Sequence, residues 1–340
     1  MTQTDNQTQT GGRLVWITKT TRAGDTNARI GIAEHIGGVF FELDIPTAFC
    51  TLAQVRERLC QSHLITAENN RWPDVVIGPC FHIPYMQMIK TLSGNKTRVV
   101  ALRPPVRGLT IKANQHDIEK TDIIVSYPYH DNQGIPNLLL CELIANRVTA
   151  KQLQAAKRQW SAVFARFSRH APVIGLLMGG DVGEQRRIFS AAIAQGLGAM
   201  VNTMATQMNS SLIISVSART SGEAQEALCS QMTVPYYLYD PKYTPGDNPY
   251  FGILATADYI VVTADSISMC CEAVASGKPV YIFYDPDIVE DAHHAMVSCL
   301  VKKGYARLLN QAAMLERFSY TPENSARLIA DKVHALLSSR

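Results

Sequence analysis

Residues whose types and spacing could carry chemistry gather between positions 248 and 284, in NPYFGILATADYIVVTADSISMCCEAVASGKPVYIFY. Asp265, Ser268 and Glu272 stand at i, i+3 and i+7, so a helix would align them on one face. Ser266 offers an N-cap oxygen, and the free N–H groups of the first turn form a natural seat for an anion. The chemistry this points to is nucleotide binding. Asp265, Ser266, Ser268 and the helix amino end would line a phosphate, while Glu272 accepts from a ribose hydroxyl. The plainer alternative is a solvated helix face with an ordinary cap.

Further candidate residues stand in and beyond that stretch. In Ser217-Ala218-Arg219-Thr220, between a strand end and a helix start, the Arg219 guanidinium could fork onto a diphosphate. Thr220 and Glu223 match a capping box. Gly179-Gly180 follows a strand, and without Cβ atoms it would let a backbone approach a ligand closely. Asn248-Pro249-Tyr250 is expected to open a helix with proline at N1, its loop holding a base or sugar with Tyr239 and Tyr243 nearby. In the first half, Asp25 of Gly24-Asp25 is a candidate general base, the alternative being that Asp25 or Thr26 caps a helix. His130, next to Asp131, is a candidate for proton transfer, against a structural role in its loop. His293-His294 lacks spaced partners and reads as a helix surface. No Asp-x-Asp pair is read as a divalent-metal site, so no metal is expected.

These residues must be positioned by elements, and the chain supplies them in alternation. Short apolar runs at 13–18, 39–43, 74–77, 98–102 and 122–125 read as buried strands, with helices at 26–35 and 83–92 between them. A long helix at 149–167 follows. Strands resume at 173–178, 212–216, 235–239, 259–263 and 280–283. Helices run to about Met208, from about Gly222, from Ser266 to Ser276 with Gly277 in the left-handed position, and over 323–337. This is an α/β pattern: two Rossmann-like doubly wound domains of similar size, facing a cleft, with ligands at the carboxyl ends of the strands. The expected divisions are a disordered tail at 1–12, an acceptor-side domain at 13–168, a nucleotide-binding domain at 169–322, and a helix crossing back at 323–340.

The composition agrees with two globular domains. The chain has 340 residues, 46% hydrophobic and 18% charged, beyond what one core usually serves. Net charge is +3 with no basic run, which excludes a nucleic-acid footprint. Eight scattered cysteines fit a reducing compartment. No apolar stretch is long enough to span a bilayer and the first residues lack a signal-peptide core, so the expected address is cytoplasmic, with peripheral membrane association left open.

The second half resembles the nucleotide domain of GT-B glycosyltransferases in Ala257-Asp258, Asp265-Ser266, Glu272 and Gly277-Lys278-Pro279. More closely, the chain resembles the mitochondrial-fission "elongated mitochondria" family. The residues that carry this are Gly24-Asp25, His130-Asp131, Gly179-Gly180, Ser217 to Thr220, Asn248 to Tyr250 and Val262 to Met269. The family more often has two arginines in the Ser-Arg-Arg-Thr position; here Ala218 replaces the first, which leaves Arg219 alone. The resemblance implies a GT-B fold. From plant relatives it implies recruitment of a dynamin-type fission protein at the outer mitochondrial membrane. The combined expectation is a protein that binds a nucleotide-diphosphate-linked small molecule, a nucleotide sugar as substrate and no cofactor. It would act as a metal-independent glycosyltransferase, with a sugar-nucleotide epimerase and a non-catalytic adaptor as alternatives.

Overall fold

The computed structural model describes residues 12–20, 23–46, 50–65, 71–103, 115–130, 132–167, 172–183 and 187–339. The tail expected to be disordered lies almost wholly outside them, as does Asp131. Contacts divide the chain into two compact units, Met1–Arg147 with Glu323–Arg340, and Val148–Pro322.

The first unit is built on β1 (Leu14–Thr18), α1 (Ala23–Ile36), β2 (Val39–Leu43), α2 (Leu52–Gln61), β3 (Val75–Pro79), α3 (Ile83–Leu92), β4 (Arg98–Leu102), α4 (Gln115–Glu119), β5 (Ile123–Ser126) and β6 (Leu138–Leu140). Its six strands run parallel in the order β2-β1-β3-β4-β5-β6. A parallel sheet is covered on both faces, and β3, β4 and β5 are accordingly near-continuous Val and Ile. On one face Trp16, Val76, Val99 and Ile124 pack with Val55, Leu59, Ile83 and Met86 of α2 and α3.

The second unit comprises α5 (Ala150–Phe164), β7 (Val173–Met178), α6 (Ala191–Gln207), β8 (Ser211–Val216), α7 (Gly222–Cys229), β9 (Tyr236–Tyr239), α8 (Tyr250–Thr256), β10 (Tyr259–Thr263), α9 (Ile267–Ala275), β11 (Val280–Phe283), α10 (Asp291–Lys302) and β12 (Arg307–Leu308). Its sheet is again parallel and six-stranded, ordered β12-β11-β10-β7-β8-β9. The last helix, α11 (Ser325–Ser338), packs on α1 and so belongs to the first unit. No helix of the described residues is long and apolar enough to cross a membrane.

Several expectations are corrected. The helix at 150–164 falls in the second unit, not the first, because it packs on α8. Gly252 leaves room there for Trp160, whose ring a Cβ would approach to 2.5 Å, and Phe164 meets Tyr237 edge to face at 5.4 Å. The helix after Gly179-Gly180 starts only at Ala191, capped by Ser190, because a bridge pairs Val182 with Arg187 first. Pro249 is the N-cap of α8 rather than its first helical residue.

Candidate functional site

Both sheets reverse order once, and the reversal marks where a crevice opens at the carboxyl ends of the strands. In the second unit it falls between β7 and β10. The loops leaving those two strands begin with Gly179-Gly180 and with Ala264-Asp265-Ser266. Six of the residues predicted from sequence meet there in one hydrogen-bonded knot.

Asp265 is its centre. The Gly180 amide donates to Asp265 Oδ2 at 2.8 Å, and Arg219 Nη2 donates to the same oxygen at 3.0 Å. Arg219 Nη1 donates to the carbonyls of Gly180 at 2.8 Å and Asp181 at 2.5 Å. The Gly179 amide donates to Thr263 Oγ1 at 2.8 Å. The Thr220 hydroxyl donates to the Gly179 carbonyl and accepts from the Ser217 amide at 2.9 Å. Ser217 Oγ in turn accepts from the Arg219 amide at 3.1 Å. Burial raises the Asp265 pKa, opposed chiefly by Arg219 and then by Thr263 and the Gly180 amide. Asp265 Oδ1 is buried with no hydrogen-bond partner.

This geometry reassigns four residues. Gly179 and Gly180 were expected to admit a ligand, but both amides are engaged and what comes close is protein. A Cβ on Gly179 would lie 1.8 Å from Asp265 Oδ2, and one on Gly180 would lie 2.3 Å from the Arg219 carbonyl carbon. Thr220 does not cap α7; its hydroxyl is turned to Gly179, and Ser221 caps by accepting from the Ala224 amide. Asp265 is a buried anchor, its carboxyl group enclosed by protein. The accessible members of the set are Arg219, whose side chain is 41% exposed, Asn248, and the half-buried Ser217, Ser266 and Ser268.

The helix that carries Ser268 and Glu272 begins as the sequence predicts. Ser266 is extended and accepts from the Met269 amide at 3.4 Å, and Gly277 at φ +72° closes the other end. Cys270, Ala273 and Val274 are buried, as the packing face requires. Glu272 departs from the expectation of a solvated face, because it is buried as well. Burial pushes its pKa up to about 7, against the pull of the Tyr250 hydroxyl. That phenol is raised well above its ordinary value, first by burial and then by the Glu272 charge, yet it completes no hydrogen bond of ordinary geometry. Asn248 Oδ1 accepts from the Tyr250 amide at 2.9 Å and so fixes the turn that presents this ring.

His293 was expected on a helix surface and is instead buried. It forms the capping box of α10 with Glu290 and bonds the Asp265 backbone, and burial lowers its pKa. Asp285 and Asp287 do form an Asp-x-Asp pair, but Asp285 Oδ1 caps a 3-10 turn by accepting from the Asp287 amide at 2.9 Å. Among the described residues no three His, Cys, Asp or Glu side chains are grouped to hold a metal ion.

The two candidate catalytic residues lie in the first unit. Asp25 Oδ1 accepts from Arg103 Nη2 at 2.7 Å, so this carboxylate is an ion-pair partner rather than a free base. His130 stands edge-on to Tyr127 and Tyr129, at 5.7 Å and 4.8 Å. Burial and then Arg103 lower its pKa, which keeps the ring neutral at pH 7, and Nδ1 is buried without a partner. Sequence reasoning passed over Thr263, Asp181 and Arg29. Only Arg29 left a signal, as an arginine inside the apolar helical run 28–33.

The UDP-GlcNAc 2-epimerase from Neisseria meningitidis, solved with UDP-GlcNAc bound, superposes with a TM-score of 0.54 at 11% identity, over 95% of this chain and 100% of that one. Os79 from O. sativa in complex with UDP gives 0.53 at 10% identity, over 96% and 94%. At such identity the likeness shows the fold, which is GT-B-like. In sequence, the uncharacterised protein RP120 of Rickettsia prowazekii is 28% identical over 359 residues, covering 93% of this chain and 96% of that protein. Mitochondrial fission protein ELM1 of Arabidopsis thaliana is 27% identical over 199 residues, 57% of this chain and 44% of that protein. The family model for mitochondrial fission ELM1 matches residues 23–337, and the chain belongs to that family.

Proposed function

We propose that the second unit binds a nucleoside-diphosphate-linked ligand at the carboxyl edge of its sheet, and that the protein is a glycosyltransferase-type transferase using it as donor. The observation that carries this reading is the division of labour at the β7–β10 reversal. A buried knot of Gly179, Gly180, Thr220 and Asp265 fixes two loops, which leaves Arg219, Ser217, Ser266 and Ser268 accessible beside the amino end of α9. That is a donor-rich surface, suited to the charge that gathers on a leaving diphosphate. Glu272 and Tyr250, facing each other with an unfilled hydrogen bond, would receive the ribose. UDP and UDP-GlcNAc, bound by the structural neighbours, are the first ligands to try. In the first unit His130, neutral at pH 7, is assigned to accept a proton from the acceptor, and Asp25 to hold Arg103.

A second reading, a non-catalytic adaptor, is favoured by the engagement of Arg219 and Asp25 in internal ion pairs and by the family itself. Calorimetric titration with a panel of nucleoside diphosphates and nucleotide sugars decides between them. The transferase reading expects a preferred nucleotide whose affinity falls by about 1 kcal/mol or more in Glu272→Gln. No preference across the panel would remove its basis. Binding without turnover, tested by product analysis, would favour the adaptor, and inversion at a sugar carbon would reassign the chemistry to epimerisation.

A further inference from the structure

The first unit has its own order reversal, between β1 and β3, and a cationic cluster surrounds it. Thr18 ends β1, and its Oγ1 shares a 2.8 Å hydrogen bond with His82 Nδ1. Gly78 of β3 lets Thr18 pack close, since a Cβ there would lie 2.6 Å from Thr18 Oγ1. Arg29 reaches to the same edge from α1. Its Nη2 donates to Thr20 Oγ1 at 2.7 Å and to Thr26 Oγ1 at 3.2 Å.

Arg29 is 1% exposed, and its Nε is buried with no hydrogen-bond partner. Among the described residues no carboxylate oxygen makes an ion pair with it. Asp25, one turn earlier on α1, acts on Arg29 through its charge but gives Oδ1 to Arg103. Glu42 acts only from further off and stands 3.5 Å from Lys19 Nζ. Burial lowers Arg29 to about 10, so it remains a cation at neutral pH. Arg29 and Arg103 therefore face one carboxylate, with His82 and His130 adding neutral rings whose pKa values are lowered by burial first and then by these arginines. The Asp25 charge favours the Arg29 cation but is shared with Arg103, so two guanidiniums stand against one carboxylate. Arg103 itself sits at φ +66°, a conformation bulky residues rarely adopt, and its carbonyl accepts from Cys80 Sγ. Its guanidinium forms the open rim, 38% exposed, above Arg29.

We propose that Arg29, Thr18, Thr20 and Arg103 form a seat for a single oxyanion, so that the small molecule taken by the first unit carries a phosphoryl or carboxylate group. This seat rests on first-unit residues alone and stands or falls separately from the nucleotide reading. An anion placed there supplies a second counter-charge for the two arginines and accepts from Arg29 Nε.

The test follows the imidazole titrations of His82 and His130 by NMR in the intact protein, with inorganic phosphate or acetate added against potassium chloride of equal ionic strength. A bound anion favours the imidazolium, so both titrations are expected to move upward and saturably. The affinity read from that shift is expected to fall at least tenfold in Arg29→Met and in Arg103→Gln. Response to phosphate alone assigns a phosphoryl group, and response to acetate assigns a carboxylate. No shift beyond the chloride reference overturns the seat, as does undiminished affinity in the variants. If Arg29→Met does not fold, Arg103→Gln on the exposed rim carries the same comparison.

Discussion

At the scale of single residues, the second-unit site depends on two buried carboxyl groups whose environments differ. Asp265 has an arginine, an amide and a hydroxyl around it, whereas Glu272 has only a phenol that it does not fully engage. Glu272 therefore titrates near 7 in the folded chain, above its value in an unfolded one. Between those values the native state binds the extra proton, so stability is lost as pH rises through the folded pKa. The loss is on the order of a few kcal/mol from about pH 5 to about pH 8. Glu272→Gln removes it, so urea denaturation should show the variant gaining on the parent across that range. A constant difference between them would disprove the assignment. Gly179→Ala tests the other carboxyl. Its Cβ would collide with Asp265 Oδ2, and the carboxylate has nowhere to move without leaving Arg219 and Gly180. The expected destabilisation is about 1–3 kcal/mol in a denaturant melt, whereas Ser268→Ala should be near neutral.

Elements show how much the sequence disclosed. The β10–α9–β11 unit was legible throughout: its strands, the Ser266 cap and the Gly277 stop agree with the structure, because each rests on local chemistry. α2 was equally local yet went unread, although Thr51 and Gln54 announce it with a complete capping box. β6 and β12 were beyond reach, being three and two residues long and defined by a neighbour's free edge. The same limit applies to the site. Sequence placed Asp265, Arg219 and the glycines in one region, but their mutual bonding depends on β7 and β10 lying side by side, which no local pattern encodes. Thr220 shows the consequence, since its hydroxyl serves the loop residue Gly179, 41 residues away, and leaves the cap to Ser221. Ser266→Ala should cost about 0.5–1 kcal/mol, the low end for a cap given its 3.4 Å bond. Hydrogen exchange should speed up first in the opening turn of α9. Unchanged exchange there would mean that packing of Cys270, Ala273 and Val274 alone holds the helix.

At the scale of the whole molecule, the chain returns after the second unit to complete the first. Ala326, Ile329, Ala330, Val333 and Leu337 of α11 are buried, and α11 lies on α1. Polar bonds tie it in further: Glu323 Oε1 accepts from the Glu142 amide at 2.8 Å, and Arg98 Nη2 donates to the Leu336 carbonyl at 3.2 Å. Removing residues 323–340 would expose apolar surface worth on the order of 5 kcal/mol, comparable with the whole stability of a domain at ~5–15 kcal/mol. The first unit should suffer while the second, whose contacts lie within Val148–Pro322, keeps its sheet. Hydrogen exchange on the truncated chain should show protection lost in α1, β1 and β2 and retained in β7, β8 and β10. Equal loss in both units would mean that they fold as one cooperative body. Loss confined to the second would contradict the packing of α11 on α1. If the first unit alone melts, the nucleotide binding proposed for the second unit should survive the truncation while the proposed response of His82 and His130 to phosphate disappears, which would assign each ligand to its own unit.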